Sequence, residues 1–166
     1  FTGGLGAHYG AEKLGATVCD SPADVARQVE VLFSMLTGPE AVQEAALGAS
    51  GFMEALGSDS LWVDCSTVNP SFSRRMAREC ESRGVAFLEA PVAGTVGPAE
   101  KGELLVLAGG KSAALERARP LQDRIGRKTV HAGGAGSGTA MKMVINLLLA
   151  QGMVAFAEAN KLGESL

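Results

Sequence analysis

Short, continuous apolar runs alternate along the chain with segments of helical character, and this alternation constrains the fold more than any other feature. Strand-length apolar runs are predicted at residues 15–19, 29–36, 61–65, 85–88, 104–108 and 128–131. Helix starts are predicted at Pro22, Pro39 and Pro70, because proline suits the first turn of a helix. Strands buried on both faces are continuously apolar, so the pattern predicts an α/β fold, a doubly wound and mostly parallel sheet covered by helices on both faces.

A glycine cluster at residues 133–138 precedes one long predicted helix over residues 139–162. Its most apolar part, residues 143–157, is interrupted by Asn146 and Gln151 and is shorter than the ~20 residues that span a bilayer. We therefore predict a buried helix and no membrane partner. The glycines mark the expected boundary, with residues 1–135 forming the sheet domain and residues 136–166 beginning a long interdomain helix.

Composition excludes several classes of function. A net charge of −3 and only eight aromatic residues disfavour both nucleic-acid and anionic-membrane surfaces. The three cysteines are dispersed without a CxxC pair, which indicates reduced thiols and no metal site. Residues 1–10 lack the charged start and apolar core of a signal peptide, so a cytoplasmic location is expected.

Ligands of doubly wound sheets bind beyond the carboxyl ends of the strands. In this chain those positions are Met35 and Leu36, Ser66 and Thr67, and residues 90–94. All three segments are predicted to lie along one edge of the sheet.

Three motifs at these positions carry a resemblance to a known family. Residues 64–67 read D-C-S-T, residues 89–104 read E-A-P-V-A-G-T-V-G-P-A-E-K-G-E-L, and residues 136–146 fit the spacing G-x-G-x-x-x-K-x-x-x-N. Taken together and in this order, they resemble the β-hydroxyacid dehydrogenase family, whose corresponding motifs are D-x-S-T, D-A-P-V-S-G-G with A-x-x-G-x-L, and a lysine followed four positions later by asparagine.

The resemblance implies a Rossmann-like domain that binds NAD or NADP. It implies an oxidoreductase that interconverts a small 2- or 3-hydroxy acid and its aldehyde or keto acid, of the 3-hydroxyisobutyrate, glyoxylate or succinic semialdehyde type. Lys142 would be the general acid and base, and Asn146, on the same helix face, would hold the reacting oxygen or orient the lysine. The same resemblance places Thr67 at the cofactor and Ala93, Gly94 and Thr95 at the substrate carboxylate. Met35 and Leu36 are added as cofactor residues from their position at a strand end, where packing in the core is the alternative.

The chain departs from the family pattern in three places. The opening strand with its G-x-G-x-x-G loop is missing, and residues 3–6 do not supply it. We therefore expect an N-terminally truncated domain, inactive on its own, from a protein that is a homo-oligomer at full length and has an all-helical second domain. Ala93 stands where the family has serine, and Thr95 replaces a glycine, which is closer to the glyoxylate/succinic semialdehyde reductase branch.

Alternatives remain open at this point. A non-catalytic nucleotide-binding or interaction module is favoured by Ala93 and disfavoured by Lys142. An imine-reductase-like relative is disfavoured because such relatives generally replace that lysine. Thr67 also suits a helix cap, and His131 fits packing at a strand end better than catalysis.

Overall fold

The computed structural model describes residues 12–166, and the interpretation of residues 3–6 lies outside them. Its strands are β1 (Val31–Ser34), β2 (Leu61–Asp64), β3 (Ala86–Glu89), β4 (Val92–Ala93), β5 (Leu104–Gly110) and β6 (Gly126–Gly133). Its helices are α1 (Pro22–Ala26), α2 (Pro39–Leu47), α3 (Pro70–Ser82), α4 (Val96–Glu100), α5 (Ser112–Ile125) and α6 (Ser137–Ser165), preceded by a 3₁₀ turn at Glu12–Leu14.

The strands form one sheet in the order β1-β2-β3-β5-β4, with β6 along the other side of β5. Strands β1, β2 and β3 are parallel, as are β5 and β6, whereas β3 and β4 pair antiparallel with β5. The predicted doubly wound, mostly parallel Rossmann-like sheet is therefore confirmed, with an antiparallel step at β5.

Alternation along the strands divides the core between the two faces of the sheet. Trp62 points to the face covered by α2 and α3, where its ring meets Phe52 and Phe87 edge-on at centroid distances of 4.9 Å. Its neighbours Leu61 and Val63 point to the opposite face, which α5 covers. Helices on both faces explain why these strands are apolar without interruption.

Side-chain caps start two of the helices. The Ser21 hydroxyl accepts the amide of Asp24 at the start of α1, and Asn69 Oδ1 accepts the amide of Phe72 at 2.8 Å at the start of α3. Each cap satisfies an amide that the first helical turn leaves free. Asn69 thus takes the capping role considered for Thr67.

One local prediction was wrong. Residues 15–19 do not form a strand, since a strand requires a neighbour to complete its hydrogen bonds and no described strand pairs with this segment.

The prediction that the long helix is buried was also wrong for the described chain. Only Gly138 and Thr139 of α6 are buried, and apolar side chains such as Leu148 and Phe156 are 64% and 70% exposed. The described elements that contact α6 are mainly β5, β6 and α3, and they cover its first turns only. By length and composition alone α6 could cross a membrane, a test that helices of soluble proteins also pass.

Candidate functional site

The ends of three parallel strands meet in register at one edge of the sheet. Ser34 pairs with Asp64, and Asp64 pairs with Glu89, so these last residues of β1, β2 and β3 lie side by side. The segments predicted to bind ligand follow directly from these strand ends. The sequence prediction that they share one edge is therefore correct for their backbone.

A buried hydrogen-bond network fixes the first two strand ends. The Ser34 hydroxyl donates to Asp64 Oδ1 at 2.8 Å and accepts the Trp62 indole N–H at 2.8 Å. The Ser66 amide donates to the same Asp64 oxygen at 3.1 Å, and the Ser66 hydroxyl accepts the Leu36 amide at 2.9 Å. Polar groups with defined partners in a low-dielectric core rigidify the segments that they join. The Leu36 and Thr67 segments are consequently held at a fixed spacing.

Burial raises the pKa of the Asp64 carboxyl, and the hydrogen bonds from Ser66 and Ser34 counteract only part of that rise. Its second oxygen, Oδ2, is buried without a hydrogen-bond partner among residues 12–166. This network was not predicted. Its sequence signal was the D-C-S-T motif, which places Asp64 at the end of an apolar strand and Ser66 two positions later.

Two of the three predicted cofactor residues border a cavity at the end of β1. Met35 is 61% exposed, Leu36 is half-buried, and both border a cavity of about 240 Å³ beside Pro22 and Phe52. Thr67 is exposed, and its side chain is not used as a cap because Asn69 fills that role. These side chains are thus available to a ligand lying over the strand ends.

The predicted substrate residues form a turn after β4. Ala93 ends the strand half-buried, and Gly94 and Thr95 are exposed. Gly94 has a φ of 139°, and a Cβ built there would lie 2.7 Å from Leu104 Cδ2. The turn therefore requires glycine at this position both for its backbone conformation and for space.

Lys142 and Asn146 both belong to α6. Lys142 is half-buried and Asn146 is exposed, one and two turns beyond the buried start of the helix. That start contacts Glu89, which ends β3, and Pro70, three residues after Thr67. The amide of Gly138 donates to Glu89 at 2.7 Å, and a Cβ at Gly136 would lie 3.1 Å from the carbonyl oxygen of Pro70.

Glu89 opens the motif of residues 89–104, but no role was predicted for its side chain. Its side chain is fully buried and holds the first turn of α6 against the end of β3. The sequence signal was a lone acidic residue after an apolar strand and two positions before Pro91. By contrast, His131 is exposed, and its Nε2 lies 2.9 Å from the carbonyl oxygen of Gly110.

A doubly wound sheet with a cavity at the carboxyl end of its first parallel strand is typical of a nucleotide-binding α/β domain of the Rossmann type. The family model of the NAD-binding domain of 6-phosphogluconate dehydrogenase matches residues 7–134. The chain belongs to the β-hydroxyacid dehydrogenase family.

Several proteins that are similar to this chain carry names from this family. The mitochondrial 3-hydroxyisobutyrate dehydrogenase of Bos taurus is 39% identical over 149 residues, covering 90% of this chain and 44% of that protein. The chloroplastic glyoxylate/succinic semialdehyde reductase 2 of Arabidopsis thaliana is 35% identical over 153 residues, covering 92% and 43%. A structure of Mycobacterium tuberculosis 3-hydroxyisobutyrate dehydrogenase with L-serine superposes with a TM-score of 0.87 at 31% identity, covering 97% of this chain and 55% of that one. The chain thus spans about half the length of the curated relatives it matches.

Proposed function

We propose that this chain is the cofactor-binding part of an NAD- or NADP-dependent oxidoreductase that interconverts a small hydroxy acid and its aldehyde or keto acid. One observation carries the proposal. The helix bearing Lys142 begins at the carboxyl edge of the sheet, where its first turn is tied to the strand that leads into the Gly94 turn.

The open edge fits a dinucleotide. Met35 and Leu36 offer an apolar wall, and the exposed Thr67 hydroxyl offers a hydrogen bond to a ribose. The nicotinamide supplies or accepts the hydride when it is bound. The buried network around Asp64 supports these residues by keeping the two strand ends at a fixed spacing.

We assign the proton transfer of the reaction to Lys142. In the reducing direction its ammonium group donates a proton to the carbonyl oxygen, and in the oxidising direction its amine takes the hydroxyl proton. Asn146 follows one turn later on the same helix face, where its amide can bond to the same oxygen or orient the lysine. The half-buried setting of Lys142 supports this role.

The substrate class rests on the Gly94 turn and on the relatives. Backbone amides at Gly94 and Thr95 suit a carboxylate, and the relatives are named for 3-hydroxyisobutyrate, glyoxylate and succinic semialdehyde. Ala93 lacks the hydroxyl that the family motif has at this position, and we assign the compensating hydroxyl to Thr95. We therefore favour glyoxylate and succinic semialdehyde over 3-hydroxyisobutyrate.

The exposed apolar side of α6 supports a further domain. We propose that residues 136–166 begin the helix that connects the sheet domain to an all-helical domain, and that the complete protein is a cytoplasmic homo-oligomer. Side chains such as Leu148, Leu149 and Phe156, each more than half exposed, would be buried in that arrangement.

The test uses the complete protein that contains these 166 residues. Oxidation of NADH and of NADPH is measured with glyoxylate and with succinic semialdehyde, and reduction of NAD and NADP with 3-hydroxyisobutyrate. Replacing Lys142 with Ala is expected to lower kcat by about 10²–10⁴. The matched control is Lys161→Ala, near the end of the same helix, where the lysine side chain is 84% exposed. Equal rates for wild type and Lys142→Ala would remove Lys142 from its role.

A further inference from the structure

Glu89 is fully buried at the end of β3 and uses its whole carboxylate on the first turn of α6. Its Oε1 accepts the amides of Gly138 and Thr139 at 2.7 and 3.3 Å. Its Oε2 accepts the hydroxyl of Thr139 at 3.1 Å. Both carboxylate oxygens are thus bonded to the same helical turn.

The α6 helix lacks a cap from its own N-terminal neighbour. Gly136 occupies the capping position and has no side chain, so the amides of the first turn need partners from elsewhere. Glu89 supplies them from 49 positions earlier in the chain. A carboxylate at the positive end of a helix is also favoured by the helix dipole.

Two glycines let the carboxylate and the helix approach the sheet together. A Cβ at Gly109 would collide with the Glu89 carboxylate and would lie 2.8 Å from the amide nitrogen of Gly138. A Cβ at Gly138 would lie 3.0 Å from the amide nitrogen of Gly109. The strand β5, the Glu89 side chain and the start of α6 therefore occupy one tightly packed junction.

We propose that Glu89 is a positioning residue for the reaction, an inference that rests on the proposed function. Glu89 directly precedes the segment that carries Ala93, Gly94 and Thr95. Its carboxylate fixes the turn immediately before Lys142. It therefore sets the position of the proton donor relative to the substrate turn, although it contacts neither substrate nor cofactor.

The consequence is a particular kinetic signature. Loss of the carboxylate frees the first turn of α6, and a displacement of about 1 Å in a catalytic group can lower the rate by about 10²-fold. The cofactor residues Met35 and Thr67 follow β1 and β2, whose ends are held by the separate Asp64 network. The KM for the cofactor is therefore expected to change little.

The experiment compares Glu89→Ala, Glu89→Gln and the surface control Glu116→Ala in the gene product that carries this chain. Glu116 is on α5 with a side chain that is 63% exposed. We expect Glu89→Ala to lower kcat by about ten- to a hundredfold with the cofactor KM nearly unchanged. Glu89→Gln keeps an acceptor oxygen for the Gly138 amide and is expected to restore most of the rate. An unchanged kcat in Glu89→Ala, or a kcat loss matched by an equal loss of cofactor affinity, overturns the proposal.

A second variant and a second readout keep the proposal testable if Glu89→Ala does not fold. Thr139→Val removes the hydroxyl, and with it the contacts to Glu89 Oε2 and to the carbonyl oxygen of Gly136, while both amide bonds to Glu89 remain. A lower kcat with unchanged cofactor KM is expected. A kcat equal to wild type overturns the proposal. Amide hydrogen exchange at residues 138–142 is expected to speed up in Thr139→Val and Glu89→Ala. Unchanged protection would contradict the proposal that Glu89 holds the first turn of α6 in place. This measurement needs no substrate. It can therefore show whether Glu89 holds the first turn of α6 even if the wild-type protein turns over none of the proposed substrates.

Discussion

Ser34 donates a hydrogen bond to Asp64 Oδ1 at 2.8 Å, and this bond joins the ends of β1 and β2 inside the core. The same oxygen accepts the Ser66 amide, while Oδ2 has no partner within the described chain. A buried acceptor without a donor costs about 1–3 kcal/mol. The Asp64 carboxyl at the edge that we assign to the cofactor therefore lowers the free energy of unfolding through its unpartnered oxygen.

Replacing Asp64 with Asn is expected to change how stability depends on pH. Burial raises the pKa of Asp64 above its ordinary value of 3.8, so the folded chain binds this proton more tightly than the unfolded chain. The free energy of unfolding that the group contributes then falls as pH rises from its ordinary pKa through the raised one. The asparagine side chain does not titrate, so the stability of the Asp64→Asn variant relative to wild type is expected to rise over that window and then level off.

Urea unfolding at several values between about pH 4 and 8 measures this difference. Asp123→Asn, on the exposed side of α5, reports the effect of removing a surface carboxylate. A difference between Asp64→Asn and wild type that stays constant across the whole range would contradict the expected titration.

Gly138→Ala is expected to destabilise the junction between α6 and β5. A Cβ at this position would collide with the carbonyl oxygen of Leu107, and backbone there cannot move aside easily. Overpacking of this kind costs about 1–3 kcal/mol, which exceeds the ~1 kcal/mol by which alanine favours a helix over glycine. Thermal and urea unfolding measure the loss.

Gly134→Ala is the matched control for that substitution. No atom lies within 4 Å of a Cβ at Gly134, and its φ is not in the left-handed region. The control is expected to leave stability unchanged or to raise it by a few tenths of a kcal/mol. If both alanine variants unfold at the wild-type midpoint, the α6 start does not pack as closely as described.

Gly94→Ala is expected to weaken binding of the carboxylate substrate. Its φ of 139° strains any residue with a side chain by about 1–3 kcal/mol, and the added Cβ meets Leu104. The KM for the hydroxy acid or aldehyde acid should rise while the KM for the cofactor stays close to wild type. Gly97→Ala, three residues later with free space around its Cβ, should leave both constants unchanged. A Gly94→Ala enzyme with an unaltered substrate KM would remove this turn from the substrate site.

The cysteines are expected to differ sharply in their reaction with iodoacetamide. Burial raises the pKa of the Cys65 thiol and of the Cys80 thiol to about 12, so at pH 8 only about one in ten thousand of each is the reactive thiolate. Cys19 is partly exposed. Mass spectrometry of the native protein should therefore find modification at Cys19 first, with Cys65 and Cys80 modified only after unfolding. Early labelling of Cys65 would show that the β2 end opens in the native state.

The sequence alone determined the class of fold and the positions where ligands should bind. Continuous apolar strands and proline-started helices predict a sheet covered on both faces, because a strand that is buried on both faces is apolar at successive positions of its own sequence. The segments of Leu36, Thr67 and Ala90, which follow the ends of β1, β2 and β3, were predicted from the same pattern. The motif around Lys142 was also local, since its glycines, lysine and asparagine lie within eleven positions.

Only the tertiary structure decided which distant residues hold that edge together. The antiparallel pairing of β3 with β5, the Ser34–Asp64 hydrogen bond and the contact of Glu89 with Gly138 each join residues 20 to 50 positions apart. A hydrogen bond between such residues depends on how the chain returns to the sheet, and composition or periodicity does not encode it. The exposure of α6 has the same origin, because an apolar helix is buried only where other elements reach it, and the described elements reach only its first turns.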